Sequence, residues 1–187
     1  MRISRAAAVA IATVAALVVA VAAGASDGSR HVRAMDDCDP ATFNVAVGPG
    51  ACVGDGETTF PDFKAQLLAK GSADGWAFKP NSVSTSPRRS LDVENRGGEF
   101  HTFTEVAQFG GGCVQILNAL LGLTAVPECS PEVAPGVPLA FVTSGMAPGG
   151  TLTIAGLSVG VHKFQCLIHP WMHTTVTVRA GNNDDDD

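Results

Sequence analysis

Apolar and polar residues alternate with period two over much of the chain beyond residue 73, the pattern of half-buried strands. Ser90-Leu91-Asp92-Val93-Glu94-Asn95 alternates cleanly and puts Leu91 and Val93 on one buried face. Trp76-Ala77-Phe78-Lys79-Pro80, Ser82-Val83-Ser84, and residues 139–142, 151–154, 161–166 and 174–178 read as further strands. Gly and Pro-Gly punctuation separates them, so the predicted fold class is all-β, a Greek-key β-sandwich of about seven or eight strands. Two stretches depart from this period. Phe60, Phe63, Leu67 and Leu68 recur at helical spacing, with Pro61 suited to a first turn and Gly71 to a stop, which predicts a short helix at about 60–70. Between Phe109 and Val137 an insertion opens on Gly110-Gly111-Gly112-Cys113, and Ile116-Leu117-Asn118-Ala119-Leu120-Leu121 predicts one or two helical turns.

The ends of the chain read differently. Met1-Arg2-Ile3-Ser4-Arg5 precedes an apolar, alanine-rich run, and Ala23-Gly24-Ala25 meets the small-residue rule for cleavage. Residues 1–25 are therefore expected to be a secretory signal peptide of bacterial type, directing the protein to the periplasm, cell envelope or exterior. An uncleaved anchor is the alternative, since the run is nearly long enough to span a bilayer. After cleavage no segment is expected to cross a membrane. Residues 26–72 form a Gly- and Asp-rich lead-in ending in the predicted helix, 73–180 the sandwich with its insertion at 109–137, and 181–187 an acidic tail. The chain carries 12 basic and 18 acidic residues. Loss of Arg2 and Arg5 with the signal leaves 10 against 18, a net charge of −8. With no basic stripe there is no footprint for nucleic acid, and protein partners are expected to present a basic face.

The candidate chemistry lies in Gln165-Cys166-Leu167-Ile168-His169-Pro170-Trp171-Met172-His173, between the last two predicted strands. A thiolate, an imidazole and a weak thioether, joined by a second histidine, are the donors of a mononuclear copper electron-transfer site. His101, in Phe100-His101-Thr102-Phe103-Thr104, is the candidate second histidine. The Cys-x-x-His-Pro-x-Met loop in its strand context resembles that of the small blue copper proteins, the cupredoxins, especially the short-loop amicyanin-like kind. The resemblance covers about residues 73–180. It implies one type 1 copper held by His101, Cys166, His169 and Met172, the last as a long axial ligand, and a single-electron carrier rather than an enzyme. It also implies redox partner proteins that dock on an apolar surface around the histidine edge, and a monomer.

Departures from relatives narrow the reading. Gln165 and Leu167 flank the cysteine where multicopper oxidases carry histidines, the loop has no second cysteine for a dinuclear centre, and no Cys-x-x-Cys-His occurs for haem. Cys166-x2-His169-x3-His173 keeps zinc spacing open. Five cysteines leave Cys166 odd if Cys38 pairs with Cys52 and Cys113 with Cys129. Four cysteines allow three connectivities, and each local loop would contribute about 3 kcal/mol in the chain-entropy model. Trp171 either docks a partner or packs under the loop. His173 is expected to point to solvent, with partner docking or a second metal contact open to it. His162 shares a face with Phe164 and Cys166 but lies about 13 Å along the strand, and is expected at the core edge. Thr102 stands where some relatives use asparagine to hold the sulfur. The insertion is expected either to shield the site and shape docking or to be a pinned surface loop. No hydrolytic triad or paired-acid arrangement is seen. Copper carriage in the envelope without redox turnover is the alternative function.

Overall fold

A computed structural model describes residues 30–180; the expected signal segment and the acidic tail lie outside them. Twelve strands are present among the described residues: β1 Arg30–Met35, β2 Ala77–Lys79, β3 Ser82–Thr85, β4 Leu91–Asn95, β5 His101–Thr102, β6 Thr104–Val106, β7 Glu132–Ala134, β8 Val137–Pro138, β9 Gly145–Met146, β10 Thr151–Ile154, β11 Gly160–Gln165 and β12 His173–Val178. Eight of them build two four-stranded sheets, in the orders β10-β4-β1-β2 and β3-β12-β11-β6. The chain crosses between the sheets from β2 to β3, β3 to β4, β4 to β6, β6 to β10 and β10 to β11, while β1–β2 and β11–β12 pair within a sheet. Alternation sets the inner faces. In β4, Leu91 and Val93 are fully buried, and in β12 Thr174, Val176 and Val178 point inward. Phe103 stacks on Phe164 with ring centroids 4.4 Å apart, and Phe78 meets Phe103 edge-on, filling the space between sheets.

Two sequence expectations need correction. Residues 30–35 are not an irregular lead-in but a central strand, β1, parallel to β4 with Val32 opposite Val93, and antiparallel to β2. Only Val32 and Ala34 of this strand are buried, and Arg30, His31 and Arg33 around them hide the pattern. Residues 139–142 are not a strand. They belong to a short helix, α4 Leu139–Thr143. A brief apolar run carries no period of its own, and here the Ser144 N–H closes on the Ala140 carbonyl at 2.9 Å.

Three further helices gather at one pole. α1 Pro40–Ala46 begins at Asp39, whose carboxylate accepts from the Ala41 and Thr42 N–H groups. α2 Phe60–Lys70 runs as the sequence predicts: Thr59 caps it, and Gly71 ends it in the left-handed region, φ 72°. α3 Gln115–Leu121 supplies the helical turns of the insertion. Both expected disulfides, Cys38–Cys52 and Cys113–Cys129, are formed. Phe43 of α1 and Phe63 of α2 pack on each other and on Trp76, so α1 and α2 share the sandwich core.

Candidate metal centre

β11 and β12 are antiparallel, with Gln165 opposite His173, and the loop between them is 166–172. The loop is tied within itself: the Cys166 N–H donates to Met172 O at 3.1 Å and the Met172 N–H to His169 O at 2.9 Å. His101 arrives on β5, held opposite Met146 of β9. Cys166 Sγ then lies 3.8 Å from His101 Nδ1 and 3.9 Å from His169 Nδ1, and the two Nδ1 atoms are 3.3 Å apart. A planar three-coordinate ion with metal–nitrogen bonds of about 2.0 Å and metal–sulfur of about 2.3 Å needs sides of about 3.5 and 3.7 Å. The triangle fits a single metal ion. Cys166 and His101 are fully buried and His169 is 3 % exposed. Met172 is buried on the same loop.

The outer nitrogens of both histidines face carboxylates. His101 Nε2 lies 2.8 Å from Asp36 Oδ2, which fixes the tautomer that leaves Nδ1 free for a metal. Asp36 has its position because four donors converge on it. Oδ1 accepts from the Cys38 and Gly98 N–H groups at 3.3 and 2.9 Å, and Oδ2 accepts from the Glu99 N–H at 3.0 Å besides facing His101. Gly97 permits this closure, since a Cβ there would run into the Asp36 carboxylate. His169 Nε2 lies 3.5 Å from Glu99 Oε2, which also accepts from Trp76 Nε1 at 2.6 Å. Cys38 is also near these acids, but its sulfur is held in the disulfide and is no metal ligand.

Charge follows this geometry. Burial opposes ionisation of Asp36, but His101 and the backbone N–H groups outweigh it and bring its pKa down to about 2. Burial likewise opposes charge on His101, yet Asp36 and the Cys166 sulfur lift it to about 9. For Cys166, burial works against the thiolate and is overcome by the two histidines, so the thiol is held well below its usual range. Glu99 is raised, chiefly by burial. Without metal these directions favour the charged forms of Asp36, His101 and Cys166 together.

The sulfur is cradled by the backbone N–H groups of Thr102 and His169, each at 3.5 Å. Thr102 therefore serves through its main chain where a side-chain amide is the family expectation. Its hydroxyl oxygen accepts the Leu167 N–H at 2.8 Å, tying β5 to the ligand loop.

The surroundings of His169 differ from the open edge that the resemblance implies. Phe63, Trp76 and Trp171 surround its ring, with centroids 6.4, 6.5 and 5.4 Å away. Trp171 packs against Phe63, with its Nε1 buried and without a partner among the described residues, so it lies under the helices rather than on a docking surface. His173 is not directed to solvent. It stacks flat on Phe109 of the insertion at 4.2 Å, and its pKa is lowered by burial. It stands apart from the His101–Cys166–His169 cluster, so the zinc spacing seen in sequence does not produce a zinc-ligand set. His162 sits at the core edge, its Nδ1 2.6 Å from Glu105 Oε1. The insertion touches the ligand loop directly: the Cys113 N–H donates to Leu167 O at 2.6 Å, and Gln165 exchanges hydrogen bonds with Gly110.

Asp36 and Glu99 are the functional residues that sequence reasoning missed. Glu99 stands two residues before His101 in the glycine-containing stretch after β4, and Asp36 stands two residues before Cys38 at the end of an unrecognised strand.

No protein-family model and no curated protein matches the chain. Among solved structures it is similar to a purple cupredoxin from Nitrosopumilus maritimus, at 12 % identity over 81 % of this chain and 100 % of that one, with a TM-score of 0.41. It is also similar to an oxidised point mutant of amicyanin, at 11 % identity over 84 % and 88 % with a TM-score of 0.38. Plastocyanin from Dryopteris crassirhizoma follows at 16 % identity over 56 % and 90 %, TM-score 0.35. The two sheets, the ligand loop between β11 and β12 and the buried donor triangle define a cupredoxin-like β-sandwich with a candidate mononuclear metal centre.

Proposed function

We propose that this chain is an exported type 1 copper protein that carries one electron, and that His101, Cys166, His169 and Met172 would hold the copper. The observation that carries this reading is the buried triangle of two Nδ1 atoms and one sulfur, the donor set of blue-copper electron-transfer sites. Copper supplies the one-electron change. The chain's part is to hold the donors: Asp36 fixes the His101 tautomer, two N–H groups hold the sulfur, and the sheets resist rearrangement between oxidation states. No substrate bond is made or broken. Burial of all three donors favours a carrier that keeps its metal over one that hands it on. Export is supported by two disulfides, which persist in oxidising compartments. Partner proteins would approach over α1, α2 and α3, because the His169 edge lies beneath them.

Titration of the purified protein with copper(II), followed by visible absorption, tests the reading. An intense thiolate-to-copper band saturating at one equivalent, bleached by ascorbate and absent in Cys166→Ser, is expected. Colourless binding with rapid loss of the ion to a chelator would instead establish copper carriage, and a coloured Cys166→Ser protein would refute the ligand assignment.

A further inference from the structure

α1, α2 and α3 do not close completely over the centre. Between them runs a groove of about 770 Å³ whose floor is formed by Ile168, His169 and Glu99. This volume lies within the range of about 300–1,000 Å³ typical of small-molecule sites. Phe43, Phe60 and Phe63 supply aromatic walls; Phe43 meets the other two edge-on and Phe60 stacks on Phe63, which holds the rings in place. The sequences of α1 and α3, Pro-Ala-Thr-Phe-Asn-Val-Ala and Gln-Ile-Leu-Asn-Ala-Leu-Leu, contain no charged residue. Among the described residues, Lys64 is the one lysine or arginine lining the groove. Such a mouth offers little to steer a charged protein partner.

The polar groups of the floor are specific. Glu99 lines the groove; its Oε2 is engaged by Trp76 and faces His169, which leaves Oε1 as the acceptor it can offer an occupant. From these features we propose that the groove binds a small aromatic molecule carrying a hydrogen-bond donor, of the phenol or hydroquinone class. Its ring lies between the phenylalanine walls and its hydroxyl donates to Glu99. The depth of the groove and the position of its polar atoms at one end distinguish this occupant from a flat protein surface, which would meet only the exposed rim at Val47 and Ile116. The molecule would lie against His169, so the site deepens the electron-carrier reading by giving it a small-molecule partner.

The groove requires no metal, and its test is made on metal-free protein, so that its outcome is independent of the copper titration. 4-Propylphenol is the probe and propylbenzene its counterpart without the donor, each followed by NMR of the Ile168 methyls and the His169 ring. Saturable shifts at both residues are expected, with the phenol bound roughly fivefold more tightly, the worth of one ordinary hydrogen bond. Ala119→Trp, at an exposed position of α3 that lines the groove, should abolish both titrations while leaving the far-UV circular dichroism unchanged. Absence of saturable shifts, shifts confined to Ile116 and Leu120 at the rim, or equal affinity for the two probes would overturn the proposal. So would self-association of the protein that moves the same resonances.

Discussion

Replacing Asp36 by Asn preserves the size of the side chain beside His101 and removes its charge. The negative charge stabilises the oxidised centre more than the reduced one, so its loss raises the reduction potential. The carboxylate lies about 7 Å from the metal position, taking the 2.8 Å contact, the width of the imidazole and a metal–nitrogen bond of about 2.0 Å. At an effective dielectric of about 20, one unit of charge at that distance is worth about 2 kcal/mol, or about 100 mV for a one-electron couple. A second effect accompanies it. All four contacts of Asp36 come from donors, and an amide must turn its NH2 toward two of them. That costs roughly 1–3 kcal/mol in stability. Spectroelectrochemistry of the copper-loaded variant measures the first effect and urea unfolding of the metal-free variant the second. A variant that keeps the visible band of the parent but shows an unchanged or lowered potential would refute the electrostatic argument.

Two further outcomes follow from the same geometry. With the His101 pKa raised to about 9 and that of Cys166 lowered by the two histidines, copper loading at pH 7 should release one proton from His101. The release, read with an indicator dye in weak buffer, should vanish as pH rises through about 9. The raised His101 pKa stabilises the metal-free fold fully below its ordinary 6.5, and that contribution is lost over the same rise to about 9. Gly112→Ala would drive a Cβ into the Leu167 carbonyl and should destabilise the protein by about 1–3 kcal/mol, as overpacking does, with a shifted visible band. An unchanged urea midpoint and band would mean that the insertion does not bear on the ligand loop.

The part of the centre that could be read in the sequence is the part whose chemistry is local. Cys166 and His169 are three residues apart between two strands of clear alternation, and His101 stands in a strand-like segment that the family pattern singles out. The two carboxylates were not legible for different reasons. Asp36 is 65 residues from His101 in sequence and is brought to it by β1, whose inward face consists of only Val32 and Ala34. Glu99 is close in sequence, but nothing in a turn residue reveals that Trp76 will orient it. His173 shows the same limit from another side. Strand parity correctly separates it from buried Met172, yet its exposure is decided by Phe109, whose position depends on how the insertion folds.

The N-terminal segment binds these observations together. Because β1 pairs with β4, its end carries Asp36 into the loop formed by Gly97, Gly98 and Glu99, and the Cys38–Cys52 disulfide begins immediately beyond. The chain then continues directly into α1 and α2, which bring Phe43 and Phe63 over Trp76 and His169. One continuous stretch therefore places a negative charge behind one histidine ligand and covers the other. Coverage excludes water and strengthens the field of that charge at the candidate metal position. It also removes the open histidine edge. On the proposed reading, an electron exchanged through His169 would cross the aromatic ring set of Phe63, Trp76 and Trp171 that covers it.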